Sequence, residues 1–194
     1  ADYPVSAPVW TIHTISSGNV ISGKGIYVNN SSLTDADVTW NLLTVPYIID
    51  WIEINENATL TIEPGCTLKF LADGGITVGN GSYGKLVADG TALLPITFTT
   101  SASTPSSGDW RGIDLWEKTS NGTIFNHCKI LYGGSSEGYR ANIYAYDNGS
   151  NVTISNSTIS YSENCGIKAE NCTPTISNVV YIDNANDECG DLVP

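Results

Sequence analysis

An internal repeat with periods of 29 and 22 residues is the feature that most constrains the fold of this chain. Three segments with an asparagine or histidine at a shared turn position align with one another, and they follow Phe125, Ile154 and Ile176. A period of this length, made only of strands and turns, predicts the coils of a solenoid. The seven-residue excess of the longer period falls at residues 133–139, which we therefore expect to form a loop that leaves one coil.

Short alternating runs separated by turn sequences fill residues 46–100. Each run places apolar and polar residues in strict alternation and is rich in β-branched side chains, which predicts a strand. The segments between the runs, such as Glu63-Pro64-Gly65 and Gly79-Asn80-Gly81, have the composition of turns. No helical pattern interrupts the series. Such strands are also compatible with an antiparallel sandwich, and the repeat favours the solenoid.

The chain resembles the right-handed parallel β-helix (pectate-lyase-like) repeat proteins that bacteria and archaea secrete. The matching pieces are residues 58–65 (ATLTIEPG), 95–98 (PITF), 110–113 (WRGI) and the three aligned repeats, within residues 40–184. The resemblance implies an all-β right-handed parallel β-helix of roughly six coils from about Tyr47 to Asp183. It implies little about activity, because this fold is shared by lyases, epimerases, adhesins and inert spacers.

Residues 1–45 depart from the repeat, so we divide the chain into an N-terminal strand-rich cap or arm (1–45) and the β-helix (46–194). Residues 9–15 alternate in hydrophobicity and are predicted to form a strand. Such a segment can cover the exposed end coil of its own body, or it can add a strand to a neighbouring subunit. In the second case Val9, Trp10, Ile12 and Ile15 are the candidate subunit contacts.

Composition and charge narrow the partners and the location. Only 14% of the residues are charged and the net charge is −12, with eight basic residues spread along the chain, so nucleic acid is excluded as a partner. No run is apolar enough to span a membrane. The chain lacks methionine and starts at Ala1, which indicates a mature secreted protein of the extracellular space or cell surface.

Five cysteines occupy the chain, and none has the spacing of a zinc site. Cys66 and Cys128 lie on predicted strands and are expected to be small buried hydrophobic residues. Cys165 and Cys189 fall at similar offsets in successive repeats and are candidates for a disulfide, with Cys172 as the competing partner.

Acceptor sequences for N-linked glycosylation are dense, which fits a secreted surface protein. The candidates are Asn29, Asn30, Asn57, Asn80, Asn121, Asn148, Asn151 and Asn171. A ninth acceptor, Asn156, shares a turn position with His127 and Asn178, where we expect a hydrogen-bonded ladder of side chains that leaves it unmodified.

Candidate chemistry is sparse. Asp114 and Glu117 are expected to be solvated surface groups rather than an acid–base pair, and Trp110 is expected to pack rather than bind sugar. No cofactor is expected. The acidic residues 183–191 could hold Ca²⁺, but their spacing matches no known calcium loop, and a solvated acidic tail is the favoured interpretation. The aromatic residues of the second half could line a carbohydrate track, and they are Trp110, Trp116, Tyr132, Tyr139, Tyr144, Tyr146 and Tyr161.

The sequence therefore predicts a protein that is not an enzyme. We expect an extracellular structural subunit that assembles head to tail with copies of itself into a cell-surface filament or matrix. The alternative is a carbohydrate-binding β-helix module with extracellular polysaccharide as its partner. A polysaccharide lyase or hydrolase is the third and least favoured hypothesis, because no acid cluster or basic residue recurs in register.

Overall fold

A computed structural model describes residues 3–15, 18–19, 21–29, 31–136 and 139–193, nearly all as short strands and turns. The first strands are β1 (Val5–Ala7), β2 (Ile26–Val28), β3 (Ser31–Leu33), β4 (Asp37–Trp40), β5 (Tyr47–Ile54), β6 (Ala58–Ile62), β7 (Thr67–Val78), β8 (Gly84–Asp89) and β9 (Ile96–Thr100). The later strands are β10 (Gly112–Leu115), β11 (Thr123–Asn126), β12 (Cys128–Leu131), β13 (Ala141–Gly149), β14 (Val152–Ser155), β15 (Thr158–Ser160), β16 (Cys165–Cys172), β17 (Thr175–Ser177), β18 (Val180–Ile182) and β19 (Asn186–Gly190).

The strands pair in parallel between successive coils and form three sheets that run along the solenoid. The first sheet contains β1, β2, the start of β5, the start of β7, β9, β12, β15 and β18. The second contains β3, the ends of β5 and β7, β10, β13, β16 and β19. The third contains β4, β6, β8, β11, β14 and β17. The described residues therefore make six complete coils, β2–β4 to β15–β17, which confirms the all-β parallel β-helix.

The interior is a set of columns in which each coil contributes one apolar side chain. One column in the second sheet stacks isoleucines in register from β5 to β16, and it consists of Ile52, Ile76, Ile113, Ile143 and Ile167. All five are fully buried. Burial of each such side chain stabilises the fold by roughly 2 kcal/mol, so the columns provide the main favourable term.

The predicted periods appear as strand register. Phe125 pairs with Ile154 and Ile154 with Ile176, which are the steps of 29 and 22 residues found in the sequence. Most of the extra residues of the longer step lie between β12 and β13, as expected for a loop, and the remainder are taken up at the end of β13, where its register with β16 shifts. Trp110 is buried and stacks on Phe70 with ring centroids 4.1 Å apart, which confirms its packing role.

Parallel stacking begins inside the N-terminal segment. Tyr27 pairs with Ile48, and Val38 pairs with Leu60, so β2–β4 form a coil of the helix rather than a separate arm. The division at residue 45 thus does not coincide with a change in stacking. Two of these strands have only three residues each, which is too short for a clear alternating pattern in the sequence.

The predicted strand at residues 9–15 is wrong. A turn and a short 3₁₀ helix, Ile12–Thr14, occupy this segment. The hydroxyl of Thr11 donates to the carbonyl oxygen of Pro8 and that of Thr14 to Thr11, local bonds that compete with strand pairing. Val9 and Ile12 are consequently buried in the core of their own chain.

The four candidate subunit contacts are therefore divided. Val9 and Ile12 cover the first coil, and the indole nitrogen of Trp40 donates to the Val9 carbonyl oxygen at 3.4 Å. Ile15 packs half-buried against the same core. Trp10 remains 48% exposed. In this conformation the segment caps its own body.

The predicted ladder of turn side chains exists, with one different member. His127, Asn156 and Asn178 share a left-handed backbone conformation at φ of 47–52°. The side-chain amide of Asn178 donates to Asn156, and that of Asn156 donates to Asn126 rather than to His127. Asn126 in turn donates to Asp89 at 2.8 Å. Asn126 accepts from Asn156 and donates to Asp89, so it takes the place in the ladder that was predicted for His127.

No helix in the described part of the chain is long and apolar enough to cross a membrane.

Candidate functional site

The outer surface of the second sheet carries a row of side chains that are buried although they point away from the interior. Thr77, Asp114 and Tyr144 lie in register on β7, β10 and β13. Their neighbours Ile113 and Ile143 face the core, so alternation directs these three outward. They are nevertheless only 2–3% exposed. Other side chains on this surface must therefore cover the row and exclude water from it.

Four aromatic side chains pack together beside Asp114, and we call them the aromatic cluster: Trp116, Tyr139, Tyr144 and Tyr146. Tyr139 comes from the loop between β12 and β13 and stacks on Tyr144 at 4.6 Å with an interplanar angle of 8°. The indole of Trp116 meets both rings nearly at right angles. Tyr146 closes the group, 5.5 Å from Trp116. Offset-stacked and edge-to-face arrangements of this kind hold aromatic rings in fixed orientations.

Charged groups and a disulfide support the cluster from one side. The hydroxyl of Tyr144 donates to Glu170 Oε2 at 2.7 Å, and Lys168 Nζ lies 2.8 Å from Glu170 Oε1. Lys168 also lies over the Tyr144 ring, 5.2 Å from its centroid. The hydrogen bond from Lys168, followed by that from Tyr144, lowers the pKa of Glu170, so this carboxylate stays ionised.

The disulfide joins Cys165 and Cys189, and it contacts Tyr144 and Ala141 in a small apolar cluster outside the main core. It confirms the pairing that the repeat offsets suggested, and Cys172 remains a buried free thiol. A disulfide that ties β16 to β19 fixes the outermost strands of the surface on which the aromatic cluster rests.

Asp114 is the most perturbed carboxyl group of this surface. Burial raises its pKa to about 7, against a smaller lowering by Arg111. Its Oδ1 atom makes no hydrogen bond with any of the described residues. The expectation that Asp114 is a solvated surface group is therefore wrong, because its neighbours in register exclude water from it. Carboxyl groups perturbed in this way by burial are common at functional sites.

Arg111 is held beside the row by an aromatic contact. Its guanidinium lies over the ring of Trp51 at 4.9 Å from the centroid. Trp51 can lie flat there because Gly75 follows it in register; a Cβ on Gly75 would come within 2.7 Å of the indole. The buried Nε atom of Arg111 has no hydrogen-bond partner in the part of the chain that the structure describes. A cation–π contact of this kind contributes roughly 0.5–2 kcal/mol and keeps the positive charge near Asp114.

The other aromatic candidates lie elsewhere. Trp110 is inside the helix, where its indole nitrogen donates to the carbonyl oxygen of Leu131. Tyr132 and Tyr161 stack on each other at 4.8 Å and have no ring contact with the aromatic cluster. The structure thus brings together four of the seven aromatic residues that the sequence offered as one track. The acid–base partner considered for Asp114, Glu117, is half-buried beyond Trp116.

The remaining candidates are placed as follows. Cys66 and Cys128 are buried thiols as expected, and burial raises the pKa of Cys66 to about 12. Within the described residues, no group of three His, Cys, Asp or Glu side chains is arranged to hold a metal ion. Asn30 lies outside the described residues, whereas Asn148 is buried, which is unfavourable for glycosylation. The exposed glycosylation candidates are Asn29, Asn57, Asn80, Asn121 and Asn171, and Asn151 is half-buried.

Sequence reasoning missed the link between Asp114 and the aromatic cluster. Asp114, Trp116 and Tyr144 come from two strands whose register depends on the length of the loops between them. The only local signal is the run Gly112-Ile113-Asp114-Leu115-Trp116, where polar and aromatic residues alternate with core residues.

Comparison with known families agrees with the fold. The profile of the family described as "Pectate-lyase like beta helix domain" matches residues 31–146. This range includes five of the six coils in whole or part. It also includes all four residues of the aromatic cluster, of which Tyr146 is the last residue matched. No curated protein and no solved structure matches the chain.

Proposed function

Because the chain belongs to the pectate-lyase-like β-helix family, we propose that it is a non-catalytic extracellular protein that binds polysaccharide on the outer face of its second sheet. The observation that carries this proposal is the aromatic cluster. Trp116, Tyr139 and Tyr146 are partly exposed, and their orientations are fixed by mutual packing over Tyr144.

Preorganisation is what makes this surface suited to binding. Aromatic faces stack on the apolar faces of pyranose rings, and rings that are already fixed lose little conformational freedom when a ligand binds. Lys168 and Glu170 provide a donor and an acceptor for hydroxyl groups at the margin of the cluster. A few polar groups around an aromatic surface orient a ligand of this kind.

The positions of the carboxyl groups on this face favour binding of a polysaccharide without its cleavage. Asp114 is protonated through much of the range below pH 7, so it can donate a proton. Glycoside hydrolysis needs a second carboxylate opposed to the first at roughly 5–9.5 Å. Glu53 is the next outward carboxylate in the same row, two strands from Asp114 with Thr77 between them. Two strand spacings amount to about 9.6 Å, slightly more than the roughly 9.5 Å that separates the two carboxyl groups at most, so this pair favours binding without turnover.

An extracellular location forms part of the proposal. A disulfide persists in oxidising compartments, and the Cys165–Cys189 pair is consistent with one. The low proportion of charged residues and the net charge of −12 fit a surface that is not directed at nucleic acid.

A binding assay with matched variants tests the proposal. We expect the purified protein to be retained on immobilised or arrayed plant and microbial polysaccharides, and we expect Trp116→Ala and Tyr139→Ala to abolish retention. Tyr161→Ala is the control, since it removes a half-buried aromatic ring outside the cluster. Equal retention of Trp116→Ala and the unaltered protein, or no retention at all, contradicts the proposal. Release of reducing or unsaturated ends that is lost in Asp114→Asn contradicts its non-catalytic part.

Self-assembly head to tail into a cell-surface filament is the second candidate function. The last strands β17, β18 and β19 have one edge without a further strand among the residues described, and Val180 and Ile182 are exposed there. An unpaired edge of this kind is a template for another chain. The acidic residues of the same coil act against association, and they are Asp183, Asp187, Glu188 and Asp191.

Electron microscopy after negative staining tests this candidate. Filaments are expected at high protein concentration, more readily at high than at low salt, because salt screens the repulsion between the acidic residues. A double substitution, Val180→Lys with Ile182→Lys, should abolish them without unfolding the chain, since both side chains are exposed. A monomer at both salt concentrations excludes assembly through this end.

A further inference from the structure

The acceptor sequences for N-linked glycosylation collect at one corner of successive coils. Five of them lie where a strand of the second sheet turns into the third sheet, and we call this line the acceptor edge: Asn57, Asn80, Asn121, Asn151 and Asn171. Each belongs to a different coil, from the second coil to the sixth. Because paired strands are about 4.8 Å apart, the fold brings acceptors that are separated by 20 to 41 residues in the sequence into one row.

The corner itself favours asparagine. Asn57 and Asn171 have left-handed backbone conformations, with φ of 64° and 56°. Asparagine tolerates this conformation better than most residues. A β-branched residue two positions later lies at the start of a strand of the third sheet, as Thr59 does in β6 and Thr123 in β11. The fold thus explains why Asn-x-Thr recurs here, and exposure decides which of these sequences a transferase can use.

Exposure separates the acceptors into two groups. The side chains of Asn57, Asn80 and Asn171 are exposed and make no hydrogen bond among the described residues. The middle residue Gly81 has open space around it, where an added Cβ would meet nothing within 4 Å. By contrast, the amide of Asn148 is buried and donates to the carbonyl oxygen of Leu115 at 3.0 Å.

Two further acceptors are blocked in different ways. The amide of Asn156 donates to Asn126 Oδ1 at 2.9 Å within the turn ladder. Asn121 is itself exposed, but its partner Thr123 is fully buried, with its hydroxyl bonded to the Leu86 backbone. A transferase must reach both the asparagine and the hydroxyl residue, so the folded chain hides half of this acceptor. Ser82, the partner of Asn80, also accepts a backbone hydrogen bond, from Glu56, but it is only half-buried.

We propose that the acceptor edge is a glycosylation surface, modified on the folded protein at Asn57, Asn80 and Asn171 and not at Asn121, Asn148 or Asn156. The donor is a lipid-linked glycosyl diphosphate. The amide nitrogen forms a bond to the anomeric carbon while the bond from that carbon to the diphosphate oxygen breaks. The electron pair leaves with the diphosphate, and the amide proton passes to a base of the transferase.

Modification along one edge has a consequence for the rest of the surface. Glycans on this edge project away from the outer face of the first sheet and leave that face bare. The proposal in the cell rests on the proposed extracellular location, because the donor and transferase act outside the cytoplasm. The site preference itself depends only on the fold.

The test compares the folded and the unfolded chain in vitro. Purified single-chain oligosaccharyltransferase and a lipid-linked oligosaccharide are supplied to the native protein and to the reduced, alkylated chain, and glycopeptides are quantified by mass spectrometry. The native protein should be modified at Asn57, Asn80 and Asn171, and at Asn121, Asn148 and Asn156 at least about tenfold more slowly, because modification there waits for local opening. The unfolded chain should lose this contrast.

Matched variants complete the test. Ser82→Ala should remove only modification at Asn80, and Ser150→Ala should remove only the Asn148 product of the unfolded chain. Modification of the native protein at Asn148 or Asn156 as fast as at Asn80 overturns the proposal. So does an acceptor edge that is modified in the unfolded chain but not in the native protein. Since the transferase is supplied, these outcomes are independent of sugar binding by the aromatic cluster.

Discussion

The interior columns and the outer face of the second sheet bury side chains by different means. In the interior, each coil places one more isoleucine, such as Ile76 or Ile113, on the column below it. On the outer face, Asp114 and Tyr144 are buried only where Tyr139, Trp116 and the Cys165–Cys189 disulfide gather above the strands. Repetition therefore builds the core, whereas a single local arrangement builds the candidate site.

This difference explains why the perturbed carboxyl group lies outside the core. An interior column admits apolar residues of similar size and repels charge, because no partner is available there. The outer face offers Arg111 and a covering layer of aromatic rings, so a carboxyl group can be buried at a tolerable cost. The four predictions below test the contrast between the two regions.

The largest expected effect is the pH dependence due to Asp114. Its pKa is raised to about 7, so the folded state holds a proton that the unfolded state releases near pH 4. Stability contributed by the protonated group is complete below about pH 4 and is lost as the pH rises to about 7, on the order of 4 kcal/mol in all. Asp114→Asn should remove this loss, as measured by urea unfolding from pH 4 to 8.

Glu117→Gln is the control for the pH experiment, since it removes a carboxylate that lies three residues from Asp114, just after the end of β10. Its unfolding free energy should follow the profile of the unaltered protein. A profile for Asp114→Asn that runs parallel to that of the unaltered protein would show that Asp114 is not the group that titrates.

A second prediction concerns the interior. Ile154→Ala removes a fully buried side chain from a column of the third sheet and should cost about 3 kcal/mol, mostly because a cavity remains. Ile176→Ala, one coil further in the same column and half-buried, should cost about 1 kcal/mol. Equal losses in urea unfolding would mean that the last coil is covered in solution as well as the coils before it.

Reduction of the Cys165–Cys189 disulfide tests the support of the outer face. The loop between the two cysteines spans 24 residues, and opening it should destabilise the protein by about 3 kcal/mol. Cys165→Ala with Cys189→Ala should reproduce this loss and should also weaken sugar binding, since both cysteines contact the aromatic cluster. Cys172→Ala is the control, and a reduced protein with unchanged stability would refute a role for the disulfide.

The smallest expected effect is that of the cluster's outermost ring. Tyr139→Ala removes a ring that is 37% exposed and stacks on Tyr144, and it should cost about 1 kcal/mol. The same change should expose Tyr144 to water. It should lower the pKa of Asp114 only if water also reaches the row of Thr77, Asp114 and Tyr144. Proton titration of Asp114 by NMR in Tyr139→Ala distinguishes these cases, and an unchanged midpoint assigns the exclusion of water to Trp116 and the strands themselves.

The sequence by itself determined the coil, and it did so through residues that repeat. Phe125, Ile154 and Ile176 predict both the strand and its register, because the length of a coil is a local property of the chain. Position within the repeat also suggested the pairing of Cys165 with Cys189, with Cys172 as the competing partner. The packing of Trp110 was expected from the Arg-Gly-Ile sequence that follows it.

Only the tertiary structure decided the features that depend on contacts between coils. The burial of Asp114 and the row of exposed acceptors at Asn57, Asn80 and Asn171 arise from the lateral stacking of strands that lie far apart in sequence. Residues 9–15 illustrate the same limit, since an alternating pattern predicts a strand only where a partner strand is available. There the threonine hydroxyls donate to nearby carbonyl groups instead. The resulting turn points the side chains of Val9 and Ile12 into the core, where they cover the open end of the first coil.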